Sequence, residues 1–150
     1  MRIHQARAAD VASLARLLYL DHVHQAPDTE SVEAFTADLA DWWAAHRDSH
    51  HAFIARTAEE EIAGMAWVAL VPRVPRPGAR SRMSADIQTV FVMAEHRGEG
   101  VGSALVRAAA GHAERLGALH VTVHSGRRAV PVYERLGFKS SRQLLQRQPS

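Results

Sequence analysis

Gly98, Gly100 and Gly102 stand at alternate positions just after Arg97, and this short run is the part of the chain best suited to chemistry. Before it lies Val90-Phe91-Val92-Met93, whose β-branched and aromatic residues suit a half-buried strand. After it, Val101, Ala104, Leu105 and Ala108 repeat at the spacing of one helix face. A strand, a five-residue connection and a glycine-led helix start therefore follow one another. The first amides of a helix have no partner inside it and carry the positive end of its dipole. With no side chains in the way, they can wrap a phosphate group, and Arg97 adds a formal charge at the same mouth. The expected chemistry is a pyrophosphate cradle.

Several families use such cradles, and spacing separates them. A nucleoside-triphosphatase loop needs Gly-Lys-Ser/Thr after the turn, and no lysine occurs here. A dinucleotide fingerprint needs an acid at the end of the next strand, where this chain has Val123-His124. Both fit poorly.

The elements that must position this loop are legible from periodicity. Residues 1–6 read as a strand, and a helix follows Asp10 with Val11, Leu14, Leu17 and Leu18 on one face. After a turn at Pro27, Val32, Phe35, Leu39 and Trp42 mark a second helix. Residues 52–56 and 61–70 read as strands joined at Glu59 and Glu60. Residues 71–82 hold three prolines and a glycine and read as a loop. The best strand is 86–93, the best helix 100–116, and a further strand spans 119–123. A short helix over 129–136 closes at Gly137, with Pro131 in its first turn, and a last strand begins at Phe138. The order predicts one α/β domain over residues 1–150, with a right-handed parallel crossover around 100–123.

Arg97, Gly100 and Gly102 after a Val-x-Val strand resemble motif A of the GNAT N-acetyltransferases, and Ala129-Val130-Pro131-Val132-Tyr133-Glu134-Arg135-Leu136-Gly137-Phe138 resembles motif B. The two stand in the family's order and span residues 86–138. The resemblance implies a twisted mixed sheet of about six strands flanked by four helices, with the fourth and fifth strands splayed. It implies acetyl-coenzyme A as co-substrate, its pantetheine arm lying between residues 86–93 and 119–123. The backbone of Val90, Phe91 and Val92 would meet that arm, with the Val90 amide facing the thioester oxygen. Arg97 and the amides of Gly98, Glu99, Gly100, Val101, Gly102 and Ser103 would hold the pyrophosphate. Tyr133 matches the family's general acid, and Asp86 occupies the place of a catalytic carboxylate in some members. A water chain is the other route for the proton. Ala94 departs from a frequent proline, and His124 from a frequent asparagine. The implied activity is direct acetyl transfer to a primary amine of a small molecule or protein. A sensor that binds acyl-coenzyme A without turnover is the rival reading.

Composition bounds the rest. The chain has 150 residues, net charge +2 and no cysteine, so disulfides, thiolate metal sites and a cysteine nucleophile are excluded. No apolar run is long enough to cross a bilayer and no secretion signal is evident, so a cytoplasmic address is expected. Arg73, Arg76, Arg80 and Arg82 cluster in one stretch, but 6% aromatic content argues against nucleic acid. The 10 histidines include His46 and His50 at helical spacing without a His-Glu-x-x-His motif, so no metal is expected. Tyr19, His22, His24 and Trp43 are candidates for the wall of an acceptor site. A short segment after Phe138 would leave the last strand incomplete and open to pairing in a homodimer.

Overall fold

The computed structural model describes residues 1–23, 28–125 and 127–149. Strands β1 (Arg2–Gln5), β2 (His50–Arg56), β3 (Ile62–Arg73), β4 (Arg82–Val92) and β5 (Ala118–Val123) lie in that order in one sheet. The first four pair antiparallel; β5 joins β4 in parallel. That parallel step requires a crossover, which α3 (Val101–Arg115) supplies. Helices α1 (Val11–His22) and α2 (Thr29–Ala45) cover the other face, and α4 (Val130–Arg135) follows β5. Asp28 caps α2 by accepting the Ser31 amide at 2.8 Å. Asp10 instead accepts from the Arg7 amide and pairs with Arg56.

Both faces of the sheet are buried. On one side Val101, Leu105, Val106 and Ala109 of α3 pack on Ala66, Val68, Ala85 and Ile87. On the other, Leu14, Leu17, Leu39 and Trp43 pack on Ile54, Met65 and Trp67. This explains why residues 63–69 read as an unbroken apolar run rather than an alternating one.

The register of β4 breaks once. Trp67 pairs with Thr89 and Val68 with Ile87, so Gln88 is an extra residue in the strand. Ala85 and Ile87 before this bulge, and Val90 and Val92 after it, all pack on the α3 side. Strict alternation would have sent Val90 and Val92 to the opposite face. The pairing of β4 with β5 ends at Ile87 and Val123, immediately before the bulge. From Gln88 to Val92 that edge of β4 has no neighbouring strand among the described residues.

Three expectations are corrected. Residues 71–73 and Arg82 form paired strand rather than loop, with Val71 opposite Ser84 and Arg73 opposite Arg82, so β4 begins at Arg82 rather than at residue 86. Pro72 is tolerated there because β2 partners β3 only as far as Ala69. No strand forms from Phe138 onward among the described residues, so the sheet has five strands rather than six. Residues 139–148 are polar apart from Leu144 and Leu145, which are 68% and 86% exposed, and they lack an apolar face to bury. Finally, His46 caps α2 while His50 begins β2, so the two do not share a helix face; their rings lie 5.8 Å apart.

Two outcomes follow from this packing. A methyl group on Gly64 would lie 2.6 Å from the Phe91 carbonyl oxygen and 3.2 Å from Leu105. Gly64→Ala is expected to destabilise the fold by about 1–3 kcal/mol in chemical denaturation. Separately, His51 Nδ1 and His112 Nε2 lie 2.7 Å apart and share one proton. Burial first, then the neighbouring His51 and Arg115, pushes the His112 pKa below its ordinary 6.5. The folded state therefore binds this proton less tightly than the unfolded chain does. The stability held by neutral His112 is complete above pH 6.5 and drains as pH falls from there through the lower folded-state pKa. His50, lowered chiefly by burial, acts with the same sign. In a thermal melt series from about pH 8 to about pH 5, Tm should fall in the acid half, and His112→Gln should shallow that slope.

Candidate active site

The glycine loop begins where β4 ends. Ala94–His96 make one tight 3-10 turn, and the chain then runs through Arg97 into α3. Gly98 and Gly100 take φ +83° and +82°, a left-handed conformation that costs a residue with a Cβ about 1–2 kcal/mol. A Cβ at either would meet nothing within 4 Å, so backbone conformation, not crowding, calls for glycine here. The clearance of side chains expected from sequence is thus a by-product. The open space beside the loop is what a phosphate group requires.

Ala104 is the first α3 residue whose amide finds a backbone carbonyl, that of Gly100 at 3.1 Å. The amides of Val101, Gly102 and Ser103 find none among the described residues, as expected at a helix start. No side chain caps the helix. Three free amides and the helix dipole thus converge on one corner, and a pyrophosphate fits it. Arg97 is tied back to the strand: its Nε donates to the Val92 carbonyl at 3.0 Å, and its guanidinium lies 5.7 Å from the Phe91 ring centre. Glu99, the only acid within residues 97–103, directs its carboxylate to His96 at 3.5 Å.

Next to the loop, the parting of β4 and β5 opens a cleft of about 280 Å³. Ile87, Gln88, Thr89 and Val90 form one wall; Val123, His124, Ser125, Ala129 and Tyr133 form the other, and Asp21 and His22 of α1 stand at its edge. Tyr133 is fixed by the end of its helix. Gly137 takes φ +93°, which lets the Phe138 amide bond back to the Tyr133 carbonyl at 3.0 Å and the Gly137 amide to that of Glu134 at 3.1 Å. The Phe138 ring then meets the Tyr133 ring edge-on at 5.6 Å. Burial raises the Tyr133 pKa above its ordinary value, so the phenol keeps its proton at neutral pH.

The structure brings most of the expected residues together. Val90, Phe91 and Val92 form the bare edge of β4, with the Phe91 side chain turned to the α1 and α2 face. Arg97 to Ser103 form the corner beside it. Asp86 is not among the residues lining the cleft; its carboxylate accepts from Thr122 Oγ1 at 3.0 Å, where β4 and β5 still pair. His22 and His124 line the cleft, whereas Trp43 is 2% exposed and bonds the His50 carbonyl as a core residue. His24 lies outside the described residues. Asp21 and Gln88 were not anticipated. Gln88 had a signal: apolar positions 85, 87, 90 and 92 skip one step, as a bulge would require. Among the described residues no group of three or more histidines and carboxylates could hold a metal ion, and no helix is long and apolar enough to cross a membrane.

The fold recurs in known proteins. A search of curated sequences returned no match. An acetyltransferase from Trypanosoma brucei superposes with TM-score 0.75 at 22% identity, covering 99% of each chain. A predicted acetyltransferase with acetyl-coenzyme A from Clostridium acetobutylicum superposes with TM-score 0.69 at 16% identity, covering 98% of this chain and 95% of that one. Glucosamine-6-phosphate N-acetyltransferase from Arabidopsis thaliana gives 0.73 at 17% identity, covering 98% and 97%. These likenesses establish the fold. The family model of the GNAT acetyltransferases matches residues 12–138, which takes in the glycine loop, the parted strands and Tyr133, and the chain belongs to that family of acetyl-coenzyme A-dependent acetyltransferases.

Proposed function

We propose that this protein transfers the acetyl group of acetyl-coenzyme A to a primary amine of a small molecule or protein, by direct attack within a ternary complex. One observation carries the reading: β4 and β5 part beside the anion corner, and Tyr133 stands in the wall of the opening. The amides at the start of α3 bind the pyrophosphate. The unpaired backbone from Gln88 to Val92 takes the pantetheine arm as a missing strand would be taken. The Val92 carbonyl already accepts from Arg97 and offers its second lone pair to the arm. An amide of this edge, that of Val90, faces the thioester oxygen and stabilises the charge that develops there.

The enzyme's main task is alignment of two bound substrates. As the amine attacks, the C–N bond forms and the C–S bond breaks. The departing thiolate takes the phenolic proton of Tyr133, which burial has kept on the oxygen, and the second proton that the nitrogen sheds as the amide forms restores the phenol through water. The ammonium proton leaves earlier, through water at the mouth of the cleft. Asp86, held by Thr122 and outside the lining, acts as a positioning residue for the last paired step of β4 and β5.

Thiol release from acetyl-coenzyme A in the presence of a panel of primary amines tests the whole reading. Release with at least one amine is expected; tight cofactor binding without release from any would favour a sensor. Tyr133→Phe should lower kcat by about 10²–10⁴-fold while leaving the acetyl-coenzyme A Kd within about twofold. Equal turnover would remove Tyr133 from the chemistry. Asp86→Asn, which keeps an oxygen for Thr122, should retain kcat within about threefold and the same pH–rate shape. A loss of about 10²-fold or more would return Asp86 to the role of base.

A further inference from the structure

The end of β3 and the start of β4 project beyond the rest of the sheet as a two-stranded ribbon. β2 pairs with β3 only to Ala69, and β5 pairs with β4 only from Met83. Residues 71–81 are all exposed. This ribbon holds Arg73, Arg76, Arg80 and Arg82, and no acidic residue occurs between Glu61 and Asp86. Among the described residues, none of the four guanidinium groups lies within ion-pairing distance of a carboxylate. Arg73 and Arg82 are direct cross-strand partners. Like charges placed so oppose folding, and an anion between them would relieve the repulsion.

The ribbon is also preformed. Arg76 and Ala79 exchange both backbone hydrogen bonds, at 3.0 and 2.8 Å, and Gly78 turns the tip with φ +79°. Pro72, Pro75 and Pro77 restrict the backbone further. Arg82 Nη1 donates to the Val74 carbonyl at 2.9 Å and so acts as a strut. Little ordering remains to be done on binding.

The neighbours of the arginines identify the partner's chemistry. Val74 is 81% exposed and Val71 44% exposed. Residues 71–82 contain no aromatic ring on which a base could stack. Guanidinium forks match carboxylates bidentately, and the two valines give apolar side chains a place to rest. The geometry points to this ribbon as a docking site for an acidic, partly apolar segment of another protein. Its Arg82 end lies five residues along β4 from Ile87 at the cleft wall, about 17 Å in an extended strand, and no ribbon residue lines that cleft.

The test uses the full chain, a fluorescent peptide of alternating glutamate and leucine, and an oligouridylate of equal charge, read by anisotropy at low and physiological salt. The peptide is expected to bind, more weakly as salt rises. The triple variant Arg73→Ala, Arg76→Ala, Arg80→Ala spares the strut and should weaken peptide binding by at least about tenfold. Val74→Ser should weaken it severalfold. Acetyl-coenzyme A binding serves as the control for an intact fold and should be unchanged in both. Unchanged peptide affinity in the triple variant would overturn the proposal, as would failure of the peptide to bind wild type at low salt. Tighter binding of the oligouridylate than of the peptide would reassign the ribbon to nucleic acid.

Discussion

One extra residue in β4 governs the architecture of the cleft. With Gln88 inserted, the strand can bury Ala85 and Ile87 and then Val90 and Val92 on the same side, although the two pairs differ in parity. A bulge also increases local twist and bends its strand. The bend falls where β5 stops pairing, so the backbone beyond it is left without a partner on that side. Unpaired backbone buried in protein would be costly. Here it faces a cleft, where water or an extended ligand can satisfy it. The same residue therefore keeps α3 packed on a continuous apolar face and leaves the edge that a thioester-bearing arm needs.

The glycine-loop corner and Tyr133 are held with unequal firmness. The corner belongs to α3, whose Val101, Leu105, Val106, Ala109 and Ala113 are buried in the core. Tyr133 belongs to a six-residue helix with no buried residue. Its position rests on two backbone bonds across Gly137 and on the Phe138 ring. The Gly-Phe pair after Tyr133 thus has a mechanical meaning: the glycine permits the reversal and the phenylalanine packs beside the phenol.

The same contrast explains what could be read from the sequence. Elements whose signals are local were legible: the apolar period of α3, the glycine-led loop, the proline and glycine that bracket α4. The parallel crossover through α3 followed from element order. Elements that depend on distant partners were not. Residues 71–73 carry a proline and read as loop, yet they form strand because residues 82–84 return beside them. Phe138 begins an apolar hint of a strand, but the polar residues after it cannot bury a face, and β5 remains the edge. Asp86 occupies the expected place in the strand, while its side chain is directed by Thr122, a residue on another strand that periodicity cannot align.

Bulge and cap together fix how the glycine-loop corner and Tyr133 relate. The cofactor corner moves with α3 and the sheet; Tyr133 moves with the end of β5 and the short helix after it. Between them β4 and β5 remain paired only from Met83 to Ile87. The Thr122–Asp86 bond lies in that paired stretch, one step before the strands separate. A contact at this point ties the two strands together just before the walls of the cleft diverge. Asp86 thus meets the fork through an oxygen held by Thr122, outside the lining of the cleft.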